Sequence, residues 1–141
     1  MKKEALMQSA IKDAQKNNHH FGAIIVKGNK IISKAGKRPA GDPRYHAESQ
    51  AIIKATNKLK TKSLKGYTLI STCEPCPMCF YLAYITNVSK IIFGATNKDA
   101  IKHGIKEIDI TDKQLNSHCK DHKIEIEGKF MRKECLELFR K

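Results

Sequence analysis

Tryptophan is missing from this 141-residue chain, and aromatic residues make up only 6% of it. No stretch approaches the eighteen or so consecutive apolar residues that a membrane span needs, so a membrane protein is not expected. Arginine is scarce: only four of the 27 basic residues are Arg, which leaves few guanidinium groups for bidentate contacts to phosphates and base edges. Acidic residues number 14, so the formal net charge is +13, but the lysines responsible are scattered along the whole chain. That balance admits RNA as a partner without pointing to a dedicated binding motif. Five cysteines, three of them within seven residues, do not make a disulfide framework. The start, MKKEALMQSAIKDAQKNN, alternates charged and apolar groups unlike a secretory signal. A reducing, cytoplasmic setting is expected, where clustered cysteines serve as metal ligands or catalytic groups.

What is present divides into short alternating segments over one domain, residues 1–141, with no repeat, low-complexity tract or linker. Residues 4–16 carry apolar groups at helical spacing. Phe21 to Val26 and Lys30 to Ser33 are β-branched runs joined by Lys27-Gly28-Asn29, a hairpin signature. The loop GKRPAGDPRY, with two prolines and two glycines, is irregular and leads to His46. HAESQAIIKATNKLK is a second helix, Tyr67 to Ile70 a strand, STCEPCP a turn, and MCFYLAYIT a mostly apolar helix expected to be buried. Lys90 to Phe93 is another strand. HKIEIEG alternates like a strand, and KFMRKECLELFRK is an amphipathic closing helix. Strands alternating with helices predict an α/β layer, antiparallel at its leading hairpin and largely parallel after it.

The chemistry concentrates in two motifs at predicted helix starts: His46-Ala47-Glu48 and Pro75-Cys76-Pro77-Met78-Cys79. Cysteines at i and i+3 of a first helical turn project to one side, and the positive helix terminus favours their thiolates. With one imidazole they make three ligands of a tetrahedral zinc whose fourth position is free for water, which leaves Glu48 as a proton carrier. A fourth ligand would close the site, so Cys73 is expected to be a buried thiol outside it. His118-Cys119 and His122 offer too few donors for a second metal site.

H-x-E followed by P-C-x-x-C is the pattern of the zinc-dependent base deaminases. Through FGAIIV, YHAESQAI, YTLISTCEPCPMC and IIFGATNKDA the chain resembles the cytidine deaminase-like superfamily, within it the guanine deaminase and tRNA adenosine deaminase branch, over nearly its whole length. The resemblance implies a three-layer α/β/α fold with a mixed five-stranded sheet and helices on both faces. It also implies Zn2+ bound by His46, Cys76 and Cys79, proton transfer by Glu48, and a homodimer. Ala47 through its backbone N–H and Phe21 as a pocket wall would meet the substrate. Where the family carries a substrate-holding Asn, this chain has Lys37 or Arg38, which donate and cannot accept.

Cys73 and the segment NKDAIKHGIKEIDI are similar to the guanine branch. Acidic residues of that segment line the pocket there, which would be Glu107 or Asp109 here; in so polar a stretch both are expected to be exposed. The closing LFRK and the net charge are similar to the tRNA branch. The implied activity is hydrolytic deamination of a purine of guanine type. The alternatives are a tRNA adenosine deaminase, a cytosine-type deaminase, and a zinc-binding module without catalysis.

Overall fold

Apolar residues alternate between the two faces of the central strands, and each face finds a helical partner. The computed structural model describes residues 2–140; Met1 and Lys141, the last residue of the LFRK close, lie outside the described residues. The chain runs α1 (Lys2–Lys16), β1 (Ala23–Lys27), β2 (Lys30–Lys34), α2 (Ala47–Leu59), β3 (Thr68–Cys73), α3 (Pro77–Ile85) and β4 (Lys90–Ala95). It continues with α4 (Asn97–Lys102), α5 (Asp112–Ser117), β5 (Glu125–Glu127), α6 (Arg132–Leu136) and a 3-10 turn, Glu137–Arg140.

The sheet has five strands in the order β2-β1-β3-β4-β5. β1 pairs antiparallel with β2 and β3, whereas β3–β4 and β4–β5 are parallel. Gly28, at φ 59°, supplies the positive dihedral that the two-residue turn between β1 and β2 requires. On one face Ile25, Leu69, Ile91 and Phe93 pack against Ala51, Ile52 and Ala55 of α2 and Phe80 and Ala83 of α3. On the other, Ile24, Val26, Ile70 and Ile92 meet Met7, Ala10, Ile11 and Ala14 of α1, with Cys135 and Leu138 closing the layer. This is the mixed sheet with helices on both faces that the sequence resemblance implies. No described helix is long and apolar enough to cross a membrane.

Three details depart from the sequence reading. α3 is not buried all round: Cys79, Phe80 and Ala83 face the sheet, while Met78, Tyr81 and Ile85 are exposed. The closing amphipathic segment forms only five residues of α-helix, because Met131 sits in the left-handed region at φ 54° and the chain tightens to a 3-10 turn after Leu136. β3 runs three residues past Ile70, which brings Cys73 to its end.

Candidate active site

Two helices begin side by side, and their first turns carry the paired motifs. His46 caps the start of α2 in extended backbone conformation. Cys76 does the same for α3, with Pro77 following at the first helical position, where its missing N–H costs nothing. His46 Nδ1 lies 3.3 Å from Cys76 Sγ and 3.6 Å from Cys79 Sγ. All three donor atoms fall within 4.8 Å of one another. Ligands on a common tetrahedral zinc, with Zn–S near 2.3 Å and Zn–N near 2.05 Å, stand about 3.6 Å apart, so the donor set fits that ion in both chemistry and spacing.

The electrostatics of the trio follow from their contacts. The Cys79 thiol donates to Cys76 and, with help from the His46 imidazole, draws Cys76 down to about 4 against the opposing effect of burial. Cys79, as the donor beside that thiolate and itself buried, moves up. The hydrogen bond with Cys76 likewise raises His46. Two converging helix N-termini supply the positive field that favours sulfur anions here.

Glu48, in the first turn of α2, is buried at 5% exposure. Burial, and then the Cys76 charge, raises its proton affinity. Ser71, on the α2 side of β3, places its hydroxyl 3.0 Å from Glu48 Oε2 and 2.6 Å from the Cys73 carbonyl. One hydroxyl proton cannot serve both acceptors. With Glu48 protonated, the carboxyl donates to Ser71 and Ser71 to Cys73, and every group is satisfied; with Glu48 ionised, Ser71 turns to it. The arrangement keeps the Glu48 carboxyl hydrogen-bonded in either protonation state.

A cleft of about 590 Å³ opens over these groups, and Phe21, Ala47 and Glu48 line it. Lys37 is exposed and does not line it, whereas its neighbour Arg38 is 7% exposed and does. Arg38 Nη2 donates to the Phe21 carbonyl at 2.8 Å. Burial lowers the Arg38 pKa, and Glu48 and Asp13 oppose that shift.

Glu107 also reaches the cleft, half-buried, while Asp109 stays outside and pairs with Lys98 at 3.2 Å. Burial, then the charge on Cys76, pushes Glu107 up to about 7. Sequence reasoning expected it exposed, since a lone acid in a polar loop carries no periodic signal. Cys73 packs with the α1-facing cluster, its Sγ 3.9 Å from the Thr96 carbonyl, and burial holds its thiol well above the usual range. Cys119 joins the α2-facing core and the His122 ring stacks on Tyr84 at 4.9 Å.

The model of the cytidine and deoxycytidylate deaminase zinc-binding region matches residues 1–95. The chain is 39% identical over 126 residues to the tRNA-specific adenosine deaminase of Aquifex aeolicus, an alignment that covers 84% of this chain and 82% of that one. It is 32% identical over 142 residues to a probable cytosine deaminase of Schizosaccharomyces pombe, covering 94% of this chain and 86% of the relative. Among solved structures, the guanine deaminase from Nitrosomonas europaea superposes with a TM-score of 0.80 over 99% of this chain and 81% of its own; at 19% identity that likeness is one of fold.

Proposed function

The chain belongs to the cytidine and deoxycytidylate deaminase zinc-binding family, and from that premise we propose that it hydrolyses the exocyclic amine of a free purine base of guanine type, releasing ammonia. Its relatives are nucleobase and nucleoside deaminases, hydrolases of cyclic amidines. The observation that carries the purine reading is Glu107, an acceptor set in the cleft that holds Glu48. Guanine presents a ring N–H beside its amine, two donors for one carboxylate, and the amidine edge of adenine has no ring N–H.

His46, Cys76 and Cys79 would hold zinc, and zinc bound there supplies an acidified water as nucleophile near neutral pH. Glu48 takes the proton of the attacking water and delivers it to the ring nitrogen beside the carbon under attack. The carboxylate then collects the second proton of that water, carried by the hydroxyl added to the base, and delivers it to the amine so that ammonia leaves and the ring keeps a carbonyl, base first and acid second. Ser71 keeps the carboxyl in place through both transfers. Phe21 packs on the base, and the Ala47 N–H, in the first turn of α2, donates to it.

A second reading, a tRNA adenosine deaminase that draws a single-stranded base into the cleft, is favoured by the identity to the Aquifex aeolicus enzyme and by the net charge of +13. Against it, the aromatic residue of the closing segment is occupied within the fold. Phe139 stacks on His103 at 4.9 Å and His20 at 6.2 Å and meets Phe21 edge-on at 5.7 Å.

Ammonia release from zinc-loaded protein, measured with guanine, cytosine, adenosine and a tRNA anticodon stem-loop, separates the readings. Turnover of guanine, lost in Glu48→Ala, is expected. Release confined to the RNA would replace the purine reading with the tRNA one, and release from none would leave a zinc-binding module. We also place the enzyme in the cytoplasm, where its thiolates stay reduced. A second copy of the chain is the partner we propose for the exposed apolar face of α2 and α3, formed by Ile53, Met78, Tyr81 and Ile85.

A further inference from the structure

Arg38 is a cation where the deaminase cleft would be expected to hold a neutral group, and half of it is unused. Its side chain is 7% exposed, on the wall of the cleft that holds His46 and Glu48. Nη2 is committed to the Phe21 carbonyl, which fixes the plane of the guanidinium. Nη1 is buried and has no hydrogen-bond partner among the described residues. A buried donor without an acceptor costs roughly 1–3 kcal/mol, more for a charged group, so a molecule that brings an acceptor recovers that cost on binding. The guanidinium has donors in a planar fork and no lone pair to offer.

We propose that Arg38 reads the substrate by donating to a ring carbonyl, so that the site selects 6-oxopurines over purines that present an amine or a bare carbon at that place. This rests on the reading of the cleft as the deaminase site and adds to it the chemistry of the base. A carbonyl accepts from Nη1. An amine at the same position meets a donor with a donor, and a C–H leaves Nη1 as it was. Discrimination built this way is steep, because the wrong base leaves a buried polar group unpaired. Phe21, whose carbonyl anchors Nη2, also lines the cleft, so the residue that reads the edge and the residue that covers the ring are tied together.

Hypoxanthine and unsubstituted purine test this without turnover, since neither carries an amine to lose. By calorimetry the wild-type protein should bind hypoxanthine at least about 30-fold more tightly than purine, and Arg38→Met, which keeps most of the side-chain volume, should reduce that ratio about tenfold. Arg38→Gln, neutral and shorter, also removes the Nη1 donor and should lose the preference equally; it carries the comparison if the Met variant, checked by circular dichroism and melting, fails to fold. Equal binding of the two probes to the wild type, or an unchanged ratio in a folded variant, overturns the proposal. Guanine deamination is scored separately. Guanine turnover with an unaltered ratio refutes Arg38 alone, and a lost ratio without guanine turnover refutes the guanine reading alone.

Discussion

Asp112 is fully buried, and neither oxygen of its carboxyl has a hydrogen-bond partner among the described residues. Burial first, and then the carboxylate of Glu74, push its pKa up to about 9. The unfolded chain releases that proton near pH 4 and the folded one near pH 9, so the folded state binds the extra proton between these values. Stability must therefore fall as pH rises through that window, by at most about 1.4 kcal/mol per unit for one proton. Asp112→Asn removes the proton and with it this slope. In urea unfolding at pH 5 and pH 8, the variant should lose less stability between the two than the wild type; parallel losses would show that Asp112 does not carry the effect. Residues of this kind were hard to see in sequence. His46, Glu48, Cys76 and Cys79 were legible because ligand spacing and helix starts constrain each other. Arg38, Glu107 and Asp112 lie in or next to irregular segments, where no period says which side chain turns inward, and the choice between Lys37 and Arg38 was open for that reason.

Elements were legible where one face of a segment is buried. The β1–β2 hairpin and the starts of α2 and α3 follow from alternation, turn residues and Pro77. α3 misled because an apolar helix reads as buried whether the fold or another molecule covers its second side. α6 misled because amphipathic spacing does not register a left-handed residue such as Met131. Packing between elements sets limits of its own at Gly22, just before β1. A Cβ there would stand 2.0 Å from the Ala10 carbonyl oxygen of α1, backbone that cannot rotate aside. Gly22→Ala should cost about 3 kcal/mol or more by overpacking. It should also raise KM by displacing Phe21. A melting temperature within a degree of wild type would show that α1 yields.

The whole molecule shows two unlike surfaces. Most of it is lysine-rich, and one face of α2 and α3 carries Tyr81 at 60% exposure, Ile85 at 51% and Met78 at 47%. A second copy covering that face would leave the lysines in water. Light scattering after size exclusion should give twice the 15.9 kDa chain mass for the wild type and one chain for Tyr81→Glu. A wild-type protein that elutes as one chain removes the dimer.

Glu74 follows β3 directly, and its two carboxylate oxygens accept the Asn97 N–H of α4 at 2.9 Å and the Asp112 N–H of α5 at 2.7 Å. The segment that delivers Cys76 is thereby riveted to the starts of both helices that flank the Glu107 loop. Mechanically, the zinc side of the cleft and its floor form one plate. Compliance is left to the opposite wall, Pro39 to Tyr45, held by short-range bonds such as that from Tyr45 N–H to the Asp42 carbonyl at 3.2 Å. Amide hydrogens of Asn97 and Asp112 should therefore exchange slowly and those of Gly41 and Arg44 quickly, and a base should enter and leave past the prolines, with the metal side standing still.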